Sequence, residues 1–239
     1  AIVLTRVPIN NVFPSNQNIE IHRGQWAYPL IGSLLGFFLF LLIFLLDTIG
    51  IPHEASILIS LSIGIFLTGA LHEDGVADFF DSLGGKDYST RQKILKDSRL
   101  GTFGVLALII VFMLKFLLLS GLEHPVALAC GLISCLSLGR FSILLLVNYS
   151  DLSKQAGLTK HLKKVSRKTI ILCGMFSMLW VIPAGLFAII FMIIFGYASI
   201  YFFSKFVVPF NRGLSGDILG LYVVFVELSS LLILTASFS

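Results

Sequence analysis

Residues 68–85 read T-G-A-L-H-E-D-G-V-A-D-F-F-D-S-L-G-G and separate long apolar parts of the chain. Six of the thirteen acidic residues fall between Glu73 and Asp97. If the segment is helical, Asp74, Asp78 and Asp81 lie on one face, about one turn apart. The spacing therefore predicts three neighbouring carboxylates.

Such carboxylates repel one another unless a cation lies between them. Hard oxygen ligands suit Mg²⁺ or Mn²⁺, usually completed by waters and substrate phosphates. The alternative is a solvated acidic turn, which is common in soluble proteins. Because this cluster borders apolar runs in a chain with few charges, the sequence favours a metal site.

The composition is that of a polytopic membrane protein. Of the 239 residues 56% are apolar and 13% are charged, with a mean hydropathy of +0.95, whereas about a quarter of a soluble domain is charged. We expect one integral membrane domain over residues 1–239. No repeat is visible that would indicate an inverted-repeat transporter, and residues 1–28 lack the pattern of a signal peptide.

Apolar runs predict seven transmembrane helices. The stretch 169–203 is too long for one helix across a hydrocarbon layer of about 30 Å, and Pro183-Ala-Gly185 in its middle predicts a tight reversal between two short spans. The predicted runs are 30–46, 55–71, 100–122, one ending near 147, two within 169–203, and 216–235.

Basic residues predict the orientation. With the N-terminus in the cytoplasm, fifteen of the seventeen Lys and Arg residues lie in cytoplasmic segments, all but Lys115 and Arg140. The outer loops 47–54 and 120–125 contain none. This bias accounts for the net charge of +4, so we do not expect nucleic-acid binding. The C-terminus is then outside, the loop 72–99 is cytoplasmic, and Lys115 is expected to snorkel to the outer interface.

A second set of polar residues follows the acids. Lys96-Asp97-Ser98-Arg99 supplies two cations, a hydroxyl and a carboxylate, and Gly101-Thr-Phe-Gly104 allows a ligand to approach the start of a helix. This pattern predicts a phosphate-binding turn beside the metal site. The alternative is a basic interfacial flank with glycine in a loop.

These motifs together resemble the adenosylcobinamide-GDP ribazoletransferase (cobalamin synthase) family. The likeness rests on T-G-A-L-H-E-D-G-V-A-D-F-F-D and K-D-S-R-L-G-T-F-G, and it covers nearly the whole chain. Further agreement comes from L-T-R-V-P-I (4–9), Y-P-L-I-G (28–32), L-G-R (138–140) and N-R-G-L-S-G-D-I-L-G (211–220). The family likeness implies a magnesium-dependent enzyme of the prokaryotic cytoplasmic membrane. By the same likeness, we expect its substrates to be adenosylcobinamide-GDP and α-ribazole or α-ribazole 5′-phosphate, and GMP to be released.

Phosphoryl transfer requires positioning and charge neutralisation, and the polar residues are expected to supply both. Asp74, Asp78 and Asp81 are the expected metal ligands. Asp97 or Glu73 is either a further ligand or the base for the ribose hydroxyl. The expected phosphate and substrate contacts are Lys96, Ser98, Arg99, Gly101, Thr102, Arg140, Arg212 and Asp217. For Arg140, snorkelling to the interface is nearly as good an explanation.

Two positions depart from the family pattern. Members usually carry an acid at the position of Val224 as well as at that of Glu227, and here only Glu227 remains of the two. Instead of a role in the site, Glu227 could serve packing through a buried hydrogen bond. Ser82 stands where the family favours glycine.

Other functions fit the sequence less well. A CDP-alcohol phosphotransferase would have D-G-x-x-A-R, whereas Asp74-Gly75 is followed by Val-Ala-Asp. A cation channel or carrier would place acids inside the spans. The sequence leaves open a homo-oligomer and an association with upstream enzymes of the corrinoid pathway.

Overall fold

The computed structural model describes residues 21–95, 99–151, 159 and 161–238, without the side chains of 21–23. Every regular element in these ranges is helical, which confirms the predicted all-α architecture. The described residues form ten α-helices: α1 Tyr28–Thr48, α2 His53–Thr68, α3 Leu71–Ser82, α4 Tyr88–Ile94, α5 Thr102–Ser120, α6 Pro125–Tyr149, α7 Arg167–Met178, α8 Gly185–Phe202, α9 Val208–Phe210 and α10 Gly216–Phe238.

Several helices can cross a membrane. By length and composition five segments of the described chain qualify, and α2 with α3 makes a sixth if this bent pair counts as one span. The protein is therefore a multi-pass membrane protein.

Helix α6 lies at the centre of the bundle and packs against α1 and α10. Gly32 and Gly36 bring α1 to backbone distance, since a Cβ atom at either position would overlap the α6 backbone near Leu136 and Leu132. The Ser137 hydroxyl donates to the carbonyl oxygen of Pro29 at 3.2 Å. Small residues at this crossing allow close packing without a hydrophobic driving force from water.

A sharp bend separates α2 from α3. The two helices meet at 87°, because Gly69 (φ +68°) and Ala70 (φ +56°) are both left-handed. The bend directs α3 into the bundle, where it packs against α5 and α10.

Part of the segment 72–99, which we expected to be a cytoplasmic loop, is therefore a helix that packs inside the bundle. Glu73, in the first turn of α3, reaches Lys115, which lies thirteen residues beyond the start of α5, or about 20 Å along that helix. The apolar residues Val76 and Ala77 of α3 are buried, so burying this face offsets the cost of inserting an acidic helix.

The chain reverses between α7 and α8, as the Pro183–Gly185 motif predicts. Gly174 faces Phe141 and Ser177 bonds to Ser137, so α7 runs antiparallel to α6. The aromatic pairs Phe195–Phe225 and Phe203–Tyr222 show that α8 runs antiparallel to α10.

Helices α6 and α10 are themselves antiparallel, because Gly131 lies near Leu231 and Gly139 near Val223. Helices α7 and α8 must then point in opposite directions. The 3₁₀ segment Leu179–Ala184 contains Pro183, and Gly185 has φ +86°, so the backbone of this segment makes the turn.

Candidate active site

Helix α3 carries the three predicted acids. Its helical backbone from Leu71 to Ser82 confirms the conformation that their spacing requires. Asp74 is exposed and Asp78 and Asp81 are half-buried, while the opposite face packs against the bundle. The carboxylates therefore line the accessible side of an otherwise buried helix.

A fourth carboxylate comes from the start of α10. A Cβ atom at Gly75 would lie 2.7 Å from the carbonyl oxygen of Asp217, and one at Gly220 would lie 3.0 Å from that of His72. This glycine-lined crossing brings the α10 N-terminus against α3. As a result, Asp78 interacts electrostatically with Asp74, Asp81 and Asp217. Sequence reasoning expected Asp217 at a shared cavity, and the structure places it beside the acids of α3.

Asp81 also holds the start of α5. Its Oδ2 accepts the backbone N–H of Gly101 and its Oδ1 accepts that of Gly104, both at 2.7 Å. A Cβ atom at either glycine would overlap the carboxylate. The Gly-Thr-Phe-Gly turn, which we predicted to bind substrate phosphate, thus gives two of its N–H groups to an anion of the protein itself. Thr102, the first residue of α5, is exposed.

The donor set is compatible with Mg²⁺ bound together with a substrate. In the described part of the chain, no group of three or more His, Cys, Asp or Glu side chains is close enough to hold a metal ion. Mg²⁺ is commonly bound through one or two carboxylates, with phosphate and water oxygens as the other ligands. A face of neighbouring aspartates with unequal exposure fits that mode better than a closed protein cage.

Two arginines border the acidic helix. The Arg212 guanidinium lies over the Tyr88 ring at 4.2 Å, and that of Arg91 lies over the Phe210 ring at 3.9 Å. Phe210 in turn contacts Phe79 of α3, with ring centroids 6.4 Å apart. Helix α4 and the segment 210–212 are therefore joined beside the acids by two cation–π contacts, in which each side supplies one arginine and one aromatic ring.

Arg91 was missed by sequence reasoning, which treated it only as a cytoplasmic charge. Its Nε also donates to the carbonyl oxygen of Gly85 at 3.2 Å. No local pattern marked Arg91, because its aromatic partner Phe210 lies 119 residues further along the chain. Asp87 caps this helix, and the backbone N–H of Thr90 holds the pKa of its carboxyl below the usual range.

The turn between α4 and α5 is only partly described. Arg99 is exposed, just before α5. Lys96, Asp97 and Ser98 lie outside the described residues, so their predicted roles stay predictions.

Arg140 and Glu73 belong to a buried ion network between the helices. Arg140 Nη1 pairs with Glu227 Oε1, and Lys115 Nζ donates to Glu227 Oε2 at 2.7 Å and to Glu73 Oε1 at 3.3 Å. The side chains of Arg140 and Glu227 are each 2% exposed and that of Lys115 is 12% exposed. The expectation that Lys115 snorkels is therefore wrong, because two carboxylates hold its ammonium group inside the bundle. The alternative role given to Glu227, a buried hydrogen bond, is what the structure shows.

Val224 packs with Val76 and Ala107 in a small apolar cluster between α3, α5 and α10. This position therefore faces α3, one turn before Glu227. Valine suits this position, because the neighbouring side chains in the cluster are apolar and could not pair with a charged group.

Comparison with known proteins identifies the family of the chain. The sequence profile of cobalamin-5-phosphate synthase matches residues 1–235. The adenosylcobinamide-GDP ribazoletransferase of Shewanella woodyi is 34% identical over 226 residues, which cover 90% of this chain and 86% of that protein. The protein of the same name from Alkaliphilus metalliredigens is 30% identical over 227 residues, 91% of this chain and 85% of the relative. No solved structure matches the chain.

Proposed function

Because the chain belongs to the cobalamin-5-phosphate synthase family, we propose that it makes the phosphodiester of the cobalamin nucleotide loop. It is a transferase, as its relatives are named. The group transferred is adenosylcobinamide phosphate, the donor is adenosylcobinamide-GDP, and the acceptor is α-ribazole or α-ribazole 5′-phosphate.

The reaction exchanges one phosphorus–oxygen bond for another. A ribose hydroxyl of the acceptor attacks the phosphorus that carries cobinamide, the bond from this phosphorus to the bridging oxygen of the diphosphate breaks, and GMP leaves with that oxygen. The hydroxyl proton passes to a base, for which Asp97 stays the prediction. Glu73 is now a weaker candidate, because Lys115 holds one of its oxygens inside the bundle.

The observation that carries this proposal is the face of four carboxylates from α3 and α10. Asp74 and Asp78 would hold Mg²⁺, or Mn²⁺, with Asp81 and Asp217 beside them. The ion would neutralise charge on the diphosphate and on the leaving oxygen. Asp81 has both oxygens bonded to backbone N–H groups, so it also ties the metal-binding helix to α5.

The bordering arginines supply the complementary charge. Arg212 and Arg91 stack on aromatic rings, which orients each guanidinium plane while leaving N–H edges for phosphate oxygens. Lys96, Ser98 and Arg99 are proposed as further phosphate contacts from the adjoining turn.

The finer membrane arrangement is also a proposal. If α2 with α3 makes one span and the reversal at Gly185 divides 167–210 into two, the chain crosses seven times, with its N-terminus in the cytoplasm of a prokaryotic cell. The side-chain amide of buried Gln25 bonds to both backbone groups of Lys163, each at 3.1 Å, which supports placing the segment before α1 and the segment before α7 on the same side. A homo-oligomer and a contact with upstream corrinoid enzymes stay predictions.

A GMP-release assay tests the function. Purified protein receives adenosylcobinamide-GDP with or without α-ribazole, in Mg²⁺ or in EDTA. We expect release that needs both acceptor and metal, and a fall of about a hundredfold or more in Asp78→Ala. Glu123→Ala is the matched control, since it removes an exposed acid remote from α3.

The outcome separates the alternatives. No GMP release from folded wild-type protein would reject the proposed reaction, and release of CMP from a CDP-alcohol would replace it. Full activity in EDTA would reject the metal while leaving the transfer in place.

A further inference from the structure

A chain of alternating charges crosses the interior of the bundle. It runs Arg140, Glu227, Lys115, Glu73, and its members come from α6, α10, α5 and α3 in turn. Two cations face two anions, so the chain of charges is neutral. These ion pairs thereby join four helices that are separate in the sequence.

The last member of this network is next to the metal-binding residues. Glu73 precedes Asp74 directly, on the same helix. Its side chain is 18% exposed. Its Oε1 accepts a hydrogen bond from the Lys115 ammonium group at 3.3 Å, while its buried Oε2 has no hydrogen-bond partner in the described part of the chain. The pose of Glu73 therefore depends on one ammonium group.

Helix α3 is held at both ends. Asp81 binds the N-terminus of α5 at one end, and Glu73 binds Lys115 of the same α5 at the other. The two contacts lie eight residues apart, or about 12 Å along α3. Asp74 and Asp78 lie between them, so both contacts set the distance and rotation of these carboxylates relative to α5.

Stability alone is a poor explanation for this network. Burying charged groups costs desolvation energy, and apolar replacements of similar volume are often equally stable or more stable. Charged side chains at membrane depth are for the same reason usually functional or paired. A network that ends beside the acids of α3 is suited to holding that helix in one pose.

We propose that Lys115 is a positioning residue that, through Glu73, holds α3 in the pose that presents Asp74 and Asp78 to metal and phosphate. This inference rests on the proposed function for its consequence in catalysis. Its structural content, the fixed pose of α3, does not depend on which reaction is catalysed.

The test uses the full chain in detergent with three variants: Lys115→Met, Glu73→Gln and the double variant. Lys115→Met alone leaves two carboxylates facing one cation, so we expect its thermal unfolding temperature to fall. The double variant leaves the Arg140–Glu227 pair balanced, and we expect most of that loss to be recovered.

Two readouts separate positioning from stability. We expect the double variant to bind Mn²⁺ about tenfold more weakly than wild type in a titration followed by electron paramagnetic resonance, as for residues that orient metal ligands. We also expect its α3 amides to exchange hydrogen faster in metal-free buffer. Lys115→Arg keeps the ion pairs and should behave as wild type in both readouts. His53→Ala removes a contact of 2.8 Å between the start of α2 and Asp47 near the end of α1, and should change neither.

If the double variant keeps wild-type Mn²⁺ affinity and wild-type exchange in α3, Lys115 only stabilises the fold and the proposal is rejected. Weaker Mn²⁺ binding in Glu73→Gln with unchanged α3 exchange would instead make Glu73 a direct ligand, which also rejects it. Should wild type release no GMP, the proposed function fails, but hydrogen exchange still decides whether Lys115 holds α3.

Discussion

At the scale of single residues, Asp81 combines two roles that its sequence position does not separate. It stands on the same helical face as Asp74 and Asp78, yet both its oxygens accept backbone N–H groups at the start of α5. A carboxylate at a helix N-terminus is stabilised by the orphan N–H groups and by the helix dipole. Asp81 is therefore expected to matter for folding, whereas Asp74 is expected to matter only for activity.

Asp81→Asn tests this difference. The amide nitrogen cannot accept a hydrogen bond, so one N–H of α5 loses its partner, and we expect a loss of about 2 kcal/mol in the free energy of unfolding. Denaturant titration of the purified protein in detergent measures it. Asp74→Asn is the control and should unfold as wild type while losing activity. Equal stability of the two variants would show that the cap contributes nothing.

At the scale of elements, α3 is unusual because it is an acidic helix that packs inside the bundle. Gly69 and Ala70 turn it by 87° from α2, and the Gly75–Gly220 crossing lets it lie directly on α10. Without these features a short helix with four acids would remain at the membrane surface, where its charges are hydrated. The crossing is thus what brings Asp217 to the other acids.

Gly75→Ala should disturb that crossing. The new methyl group would lie 2.7 Å from the carbonyl oxygen of Asp217, which is backbone and cannot move aside. We expect a loss of about 1–3 kcal/mol in stability together with a fall in GMP release. Thermal unfolding and the release assay measure the two effects. Gly196→Ala in α8 meets no atom within 4 Å and should leave both unchanged, and a stable, fully active Gly75→Ala would disprove the tight contact.

At the scale of the whole molecule, charge and packing agree on one polar face. The acids of α3, the arginines beside α4 and α9, and the starts of α5 and α10 lie together. Basic residues in the segments that lead to this face are those expected on the cytoplasmic side. The orientation that these basic residues predict can therefore be tested at two loops, one on each side of the bundle.

Cysteine labelling tests that orientation. Glu123→Cys and Lys164→Cys both place a thiol on an exposed position, while the native Cys130, Cys135 and Cys173 are buried and should give little background. In spheroplasts, a membrane-impermeant maleimide should label position 123. It should label position 164 only after the spheroplasts are lysed. The reverse pattern would mean that the N-terminus is outside.

Local patterns in the sequence were sufficient for the long apolar helices and for the three aspartates that share a face of α3. Apolar runs, the i, i+4, i+7 spacing of Asp74, Asp78 and Asp81, and the Pro183–Gly185 turn act over a few residues, so they can be recognised without knowing what lies opposite. The likeness of the motifs to a known family pointed to the same chemistry.

Only the tertiary structure decided which charges neutralise one another. Lys115 and Glu227 are 112 residues apart in the chain yet bond at 2.7 Å, and Asp81 meets Gly101 and Gly104 across a turn that the sequence marked for phosphate. Hydropathy treats a lone lysine in an apolar run as a group that must reach water, because it cannot show a carboxylate on another helix. Pairing inside the bundle removes that need, and it makes the lysine part of the frame that holds the acids in place.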